Sequence, residues 1–363
     1  MRVCVVGAGA IGALLGVKIW HAAGGEHAVT MVGRAGSHLS AMQRDGLRLC
    51  GESVADDVSA SGDNGGEICM RTGERNAAFF SSLEDVPQKQ DVVFLALKEN
   101  QLAQIMPGLP SVSHAETVYV TLQNGIPWWY FQIYSGPNEY ANKVVESVDP
   151  QGVLFHGIDP CRVLGCVVYP AARKKEPGVV EHVEGIRFPL GELDGSHSER
   201  AERISQLLVT AGFKAPVVED IRSELWLKLW GSLAFNPISA LCHATLGELC
   251  TFPPSRELAV RMMREAEQVG IALGASFRVP LERRLDGAAS VGAHKTSMCA
   301  DVEAGRPMEV DAIMASVVEL GALTGVFMPS VSAVYALLQL LNRQLDQGVS
   351  FPAVPAPLPD PKM

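Results

Sequence analysis

The sequence lacks the short motifs that identify several common enzyme classes. None of the nine histidines is spaced as H-x₃-H or HExxH, and no GxSxG occurs. Zinc-dependent and serine-dependent hydrolases therefore have no support. The eight cysteines form no Cys-x-x-Cys pair and no metal-like cluster, so we expect reduced cysteines in a cytoplasmic protein and predict no bound metal.

Positive charge is also in short supply. The 30 basic residues against 40 acidic residues give a formal net charge of −10, which argues against nucleic acid or an anionic membrane as a partner. Only 19% of the residues are charged and 47% are hydrophobic, so extensive disorder is excluded. The 363 residues favour two packed domains.

An apolar run long enough to span a membrane, about 20 residues, is missing as well. The most apolar stretch follows Arg2, but Lys18 ends it after residues 3–17, and four glycines lie within it. A strand, a turn and a helix explain these glycines better than a signal peptide does. We expect a soluble protein without a membrane partner.

The first half of the chain alternates β-branched runs with helical patterns, which is typical of a doubly wound parallel α/β sheet. Strands are predicted at residues 3–6, 29–32, 91–96 and 117–122, and helices at 11–21 and 37–44. Runs at 163–168, 179–182 and 186–190 predict antiparallel strands that complete the sheet. Residues 51–73 and 136–150 are predicted to be loops.

Helical periodicity replaces this alternation after the DGSHS segment at residues 194–198. Helices are predicted at residues 202–210, 221–235, 256–273, 310–323 and 331–341. The predicted domains are therefore an N-terminal doubly wound domain at 1–196 and an all-helical domain at 197–346. A proline-rich tail at 347–363 is predicted to be disordered.

The first strand leads into the pattern Gly7-x-Gly9-x-x-Gly12 at the start of a helix. The first glycine permits a tight turn, the second allows the backbone to approach a pyrophosphate, and the third allows close packing of helix and strand. The amides of the helix start, which includes Ala10 and Ile11, supply donors for the anion. The pattern predicts a dinucleotide site.

The end of the second strand indicates which dinucleotide binds. An NAD site usually has an acidic residue here, yet no acid occurs from residue 27 to residue 44, and Arg34 follows the strand. An arginine pairs with a 2′-phosphate, so NADP(H) is favoured. The alternative is a solvated loop arginine. Lys98 and Asn124 follow the next two strands, where ligands bind in such sheets, although both residue types are also common in turns.

The segment from Glu224 to Pro237 places Lys228, Ser232 and Asn236 on one face of a helix, at i, i+4 and i+8. An amine in apolar surroundings acquires a lowered pKa, which suits a general acid. The alternative is a lysine whose charged end reaches solvent beside two satisfied polar groups.

The segment from His294 to Asp311 contains Ser297, Pro307 and Glu309. Pro307 suits a first helical turn, where the helix dipole alone favours Glu309. Ser297 suits a helix cap. Structural explanations therefore compete with functional ones at both residues.

In this order and spacing, the segments resemble the ketopantoate reductase (2-dehydropantoate 2-reductase) family over residues 1–345. The matching segments are GAGAIG at 7–12, Arg34, LALK at 95–98, QNGI at 123–126, KLWGSLAFNP at 228–237, and TSM…RPMEVD at 296–311. The resemblance implies an N-terminal Rossmann domain that binds NADPH and a helical domain that closes over a 2-keto acid.

The resemblance also implies residue roles. Lys228 matches the family's catalytic lysine and Glu309 its active-site glutamate. Ser297 matches the serine that binds the substrate carboxylate, and Asn124 and Asn236 match cleft asparagines. A position that is asparagine in the best-known members is Ser232 here. The family implies a role in pantothenate biosynthesis, and a homodimer is compatible with the sequence.

Two departures from the family pattern, the aromatic run after QNGI and Ser232, bear on the substrate and point to one less polar than 2-dehydropantoate. The QNGI motif is followed by Trp128, Trp129 and Tyr130. Rings that face the cleft would add apolar wall and shift preference towards bulky 2-keto acids; the alternative is ordinary packing in the core, where most large aromatic residues lie. The stretch 51–73 reads as an insertion. A related dehydrogenase acting on another hydroxy or imino acid, and a non-catalytic NADP(H)-binding redox sensor, remain as alternatives to a 2-keto acid reductase.

Overall fold

The computed structural model describes residues 1–51, 67–349 and 351. The chain forms two compact units, Met1–Glu224 (unit 1) and Leu225–Met363 (unit 2). The predicted disordered tail at 347–363 lies outside the described residues except for 347–349 and 351. No helix in the described part of the chain is long and apolar enough to cross a membrane.

Unit 1 is built on eleven strands among its described residues. In chain order they are β1 (Arg2–Val6), β2 (Ala28–Val32), β3 (Leu47–Cys50), β4 (Glu67–Met70), β5 (Ala77–Phe80), β6 (Gln90–Leu95), β7 (Ser113–Thr121), β8 (Val163–Cys166), β9 (Ala171–Glu176), β10 (Val179–Glu184) and β11 (Leu190–Glu192). Seven form the main sheet in the order β11-β8-β7-β6-β1-β2-β5. All neighbours pair in parallel except β11, which is antiparallel to β8. The predicted doubly wound parallel sheet is confirmed.

The other four strands form a second sheet, in the order β4-β3-β10-β9, that the sequence did not predict. Three runs, at residues 163–168, 179–182 and 186–190, were expected to complete the main sheet as antiparallel strands. Only the end of the third run does so, as β11. The first, β8, is parallel to β7, and β10 pairs with β3 and β9 instead. The pairing of Val180 with Leu49 explains this, because it buries both side chains in the core. Part of the predicted 51–73 loop is strand β4, and residues 52–66 lie outside the described residues.

The helices of unit 1 are α1 (Ala10–Ala23), α2 (Ser37–Asp45), α3 (Glu99–Ile105), α4 (Leu109–Val112), α5 (Val153–Gly157) and α6 (Glu199–Thr210). Single 3₁₀ turns lie at Glu74–Asn76, Met106–Gly108, Asn138–Tyr140, Pro150–Gly152 and Pro160–Arg162. Helix α1 buries nine consecutive residues from Gly12 to Trp20 and ends at Gly24, whose φ of +58° suits glycine. Core residues therefore surround this part of the helix on nearly all sides.

The division between the units falls later than the expected boundary near residue 196. Helix α6 follows that boundary, yet its buried side chains Ala201, Ile204, Leu207 and Leu208 belong to the core of unit 1. The helical periodicity of α6 led to its assignment to the second domain. Periodicity shows which face of a helix is buried, but it does not show which domain's core that face packs against.

Helix α7 (Ile221–Cys242) begins in unit 1 and runs on into unit 2. It is followed by α8 (Leu246–Thr251), α9 (Pro253–Ala272), α10 (Leu281–Ser290), α11 (Ser297–Glu303), a π-helical turn (Asp311–Ala315), α12 (Ser316–Thr324) and α13 (Pro329–Asp346). The Trp230 indole N–H donates to the Met263 carbonyl oxygen at 2.6 Å and ties α7 to α9. Glu265 accepts hydrogen bonds from the Ser330 and Val331 amides at the start of α13. The described residues of unit 2 form helices and connecting loops but no strand, as predicted.

Candidate active site

The loop between β1 and α1 and the first turn of α1 contain three glycines, each with a different structural role. Gly7 has a φ of +109°, and a Cβ there would lie 2.5 Å from the Ala96 carbonyl oxygen. A Cβ on Gly12 would lie 2.0 Å from the Gly7 carbonyl oxygen. Gly9 is exposed, and a Cβ there would meet nothing within 4 Å. Packing inside the protein explains Gly7 and Gly12, whereas Gly9 leaves open space at the helix start.

Helix α1 begins at this open space. Gly9 is its N-cap residue, and among the described residues no side chain caps the helix. The first amides of the helix, which include those of Ala10 and Ile11, have no partner within the helix itself. Helix starts of this kind bind anions through these amides and the positive end of the helix dipole.

His38 ties the glycine loop to the second sheet. Its Nε2 donates to the Ala8 carbonyl oxygen at 2.9 Å, and its Nδ1 accepts from the Gly178 amide at 2.9 Å. These two bonds require the neutral ring with the proton on Nε2. Burial lowers the pKa of His38 and the charge of Lys174 lowers it further, against the opposing effect of the bond to Ala8. No motif pointed to this residue.

We expect unit 1 to lose stability on acidification because of His38. Its pKa is lowered from 6.5 in the folded protein, so the unfolded chain binds a proton more readily. The stabilisation is complete above pH 6.5 and is lost as the pH falls through the lowered value. Chemical denaturation across this range should show a shallower pH dependence in His38→Ala. Equal slopes in the parent and the variant would contradict the assignment.

Lys98 and Asn124 lie at the same edge of the main sheet, after β6 and β7. Lys98 is exposed at the N-cap of α3, and Asn124 is half-buried. The intervening residue Gln123 is buried, and its amide donates to the carbonyl oxygens of Leu95 and Leu97 at 2.7 and 3.0 Å. In the sequence Gln123 stands out only as part of the QNGI motif; in the structure its side chain joins the loop before Lys98 to the loop that holds Asn124.

Arg34 lies beyond β2, at the edge that carries the glycine loop. It is exposed, and it makes no hydrogen bond or ion pair with the described residues. The preceding residue, Gly33, packs against the glycine loop, because a Cβ there would lie 3.0 Å from the Ala8 Cβ. The structure thus brings the predicted cofactor residues of unit 1 to one edge of the sheet.

In unit 2, helix α7 presents a narrow polar strip. Between Leu225 and Ala240 every residue is buried except Leu227, Lys228, Ser232 and Asn236, which are half-buried. The Ser232 hydroxyl lies 3.4 Å from the Lys228 carbonyl oxygen, to which it donates. The three predicted polar residues therefore share the one helix face that solvent reaches.

Ser297 is the first residue of α11, and Glu309 lies six residues after the end of this helix. Thr296, not Ser297, is the N-cap residue, since its hydroxyl accepts from the Cys299 amide. Ser297 is the exposed first residue of the helix, so its hydroxyl is not needed as a cap. Pro307 and Glu309 precede the π-helical turn, and the alternative in which Pro307 opens the helix is wrong.

The aromatic run after QNGI is core. Trp128, Trp129 and Tyr130 are at most 1% exposed, and the Trp129 indole N–H donates to the Thr121 hydroxyl at 3.0 Å. The buried guanidinium of Arg222 donates to the Tyr130 carbonyl oxygen at 2.8 Å and holds this segment in place. Of the two alternatives for these rings, packing in the core is therefore confirmed, and the main argument for a bulky substrate is lost.

Comparison with known proteins decides the family. The sequence profile of the family "Ketopantoate reductase PanE/ApbA" matches residues 3–195, and that of its C-terminal domain, "Ketopantoate reductase PanE/ApbA C terminal", matches residues 220–342. The chain belongs to the ketopantoate reductase family. Members of this family are oxidoreductases that depend on a pyridine nucleotide, so the alternative of a non-catalytic redox sensor has no support.

Individual relatives agree with this assignment. A 2-dehydropantoate 2-reductase from Mesorhizobium japonicum is 43% identical over 94% of this chain and 98% of its own length. The crystal structure of a candidate ketopantoate reductase from Ralstonia solanacearum MolK2 has a TM-score of 0.83 and 31% identity over 96% of this chain and 99% of its own. A D-mandelate dehydrogenase with NADH and anilino(oxo)acetate has a TM-score of 0.75 but 17% identity over 95% of this chain and all of its own, which shows the shared fold alone.

Proposed function

We propose that this ketopantoate reductase family member reduces 2-dehydropantoate to its 2-hydroxy acid with NADPH. The observation that carries the proposal is the polar strip on α7. Among the described residues from Leu225 to Ala240, Lys228 is the only cation, and Leu227, Ser232 and Asn236 are the only other residues that solvent reaches. The 2-dehydropantoate 2-reductase from Mesorhizobium japonicum, at 43% identity, supports the substrate.

The residues of unit 1 fit a dinucleotide phosphate. The open space at Gly9 and the uncapped start of α1 suit a pyrophosphate on the amides of Ala10, Ile11 and Gly12. Arg34 has the charge and the exposure to pair with a 2′-phosphate. Lys98 and Asn124, at the same edge, complete the proposed cofactor site. The bound nicotinamide supplies a hydride.

Two glycine variants separate binding from packing. Gly9→Ala should leave the melting temperature unchanged and weaken NADPH binding at least tenfold, because the new methyl group occupies only the open space. Gly12→Ala should lower the melting temperature, because its Cβ would lie 2.0 Å from the Gly7 carbonyl oxygen. Calorimetric melting and fluorescence titration of NADPH measure both. Unchanged NADPH affinity in a folded Gly9→Ala protein would exclude a phosphate at this position.

Lys228 is the proposed proton donor. Its ammonium group would give a proton to the substrate oxygen that becomes a hydroxyl, and would offset the negative charge that develops there. The partly buried position favours both effects, since an ammonium acts more strongly on a developing charge where water is scarce.

The remaining polar residues are assigned to the substrate. The Ser297 hydroxyl would donate to the carboxylate, and the Glu309 carboxylate would accept from a substrate hydroxyl. Asn236, Asn124 and Ser232 would complete the polar contacts. Ser232 offers one donor where an asparagine side chain offers two donors and an acceptor.

A substrate panel tests the proposal against its rival, a dehydrogenase acting on another hydroxy or imino acid. NADPH oxidation is followed with 2-dehydropantoate and with branched and aromatic 2-keto acids. We expect the highest kcat/KM for 2-dehydropantoate, because the rings of Trp128, Trp129 and Tyr130 are in the core. A higher kcat/KM for an aromatic 2-keto acid would favour the rival.

A further inference from the structure

Unit 2 contains a cluster of three different metal-ligating side chains that the proposed reaction does not use. The His–Cys–Glu cluster consists of His243, Cys299 and Glu303, and its ligand atoms all lie within 4.8 Å of one another. The His243 Nδ1 is 3.5 Å from the Glu303 Oε1. Cys299 is fully buried, while His243 and Glu303 are half-buried. One side of the cluster therefore faces the interior and the other can be reached from solvent.

We propose that the His–Cys–Glu cluster binds a zinc-type divalent cation. Imidazole nitrogen, thiolate sulfur and carboxylate oxygen are the three ligand types that Zn²⁺ uses in proteins. Bonds of about 2.0–2.3 Å in a tetrahedral site place ligand atoms roughly 3.3–3.8 Å apart. The cluster reaches this spacing with side-chain shifts of about 1 Å, and water fills the fourth position.

The charges also balance around such an ion. Zn²⁺ would be matched by one carboxylate and one thiolate, with a neutral imidazole. Without the ion, the Lys295 ammonium donates to the Glu303 Oε1 at 2.5 Å and holds the single negative charge. Burial raises the pKa of the Cys299 thiol, and the charge of Glu303 adds to this effect, so the thiol carries its proton. Metal binding displaces the Lys295 amine from the carboxylate and releases the thiol proton to solvent.

The three ligands come from two places in unit 2. His243 directly follows α7, and Cys299 and Glu303 lie one turn apart on α11. The ion would cross-link the end of α7 to α11, the helix that begins at Ser297. The prediction of no metal site rested on short spacings, and His243 and Cys299 lie 56 positions apart in the sequence, so such spacings do not detect this cluster.

Metal binding to the full-length protein tests the proposal directly. ZnCl₂ is titrated in competition with a chelator of known affinity, and CoCl₂ is used as a spectroscopic probe of thiolate coordination. We expect one Zn²⁺ per chain, a higher melting temperature with Zn²⁺, and a cobalt–thiolate charge-transfer band. Cys299→Ser should abolish the band and weaken zinc binding at least about 100-fold, more than the loss of an outer-shell partner does.

Two further variants sharpen the result. Lys295→Met should bind Zn²⁺ roughly tenfold more tightly, because the competing charge-assisted hydrogen bond to Glu303 is gone. Cys161→Ser, which removes an exposed thiol in unit 1, should bind Zn²⁺ as the parent does. If Cys299→Ser misfolds, Glu303→Gln and the cobalt spectrum of the parent protein replace it. The absence of stoichiometric zinc, or zinc binding unaffected by changes at Cys299 and Glu303, would overturn the proposal.

Discussion

Replacing Lys228 with alanine is expected to lower kcat by about 10²–10⁴-fold, the usual contribution of general acid catalysis. NADPH affinity should change little, because the amine acts on the substrate and not on the nucleotide. Steady-state kinetics with 2-dehydropantoate gives the first quantity, and fluorescence titration of NADPH gives the second. The separation of the two effects distinguishes a proton donor from a residue that only stabilises α7.

The matched control is Lys214→Ala, which removes an exposed lysine of unit 1. Its kcat should equal that of the parent protein. A Lys228→Ala protein that keeps near-parental kcat would identify Lys228 as a lysine whose methylene chain packs on the helix face while its charge reaches solvent.

The second large effect concerns Arg34. Arg34→Glu should weaken NADPH binding about 30-fold or more, because a charge-assisted pair is lost and a carboxylate faces the 2′-phosphate. NADH lacks that phosphate, and a carboxylate can accept from its free 2′-hydroxyl. Its affinity should therefore stay the same or rise. Parallel titration of both nucleotides measures the change in preference.

Arg203→Glu makes the same change of charge on an exposed position of α6 and should leave the preference intact. This control removes any general effect of net charge on anion binding. Equal affinities of the parent protein for NADPH and NADH would contradict the proposed pairing of Arg34 with the 2′-phosphate, whatever the variants show.

Local signals were sufficient for the parts of the fold that are formed by neighbouring segments. The short apolar run of β1 and the glycine spacing that follows it predicted both elements correctly, because the positive φ of Gly7 and the close approach of Gly12 to the Gly7 carbonyl oxygen are set within the turn itself. The polar strip of Lys228, Ser232 and Asn236 on α7 was likewise predicted from spacing, since residues four apart share a helix face.

Long-range pairing was beyond the reach of these signals. Strand β10 was predicted as a strand, but its partner β3 lies about 130 residues earlier in the sequence. No pattern in either strand identifies the other as its pairing partner. The hydrogen bonds of His38 to Ala8 and Gly178 also join segments that are far apart in the sequence, so no local pattern predicted them. The sequence left the aromatic run at Trp128 open between cleft and core, because hydrophobic residues next to a motif look the same whether they line a site or fill a core.

Isotope transfer with the purified protein tests the central claim most directly. NADPH carrying deuterium on the transferable position of its nicotinamide is mixed with 2-dehydropantoate, and the product is analysed by mass spectrometry. The account predicts one 2-hydroxy acid per NADPH oxidised, with deuterium at C2. Oxidation of NADPH without this product, or a product without deuterium, would contradict it.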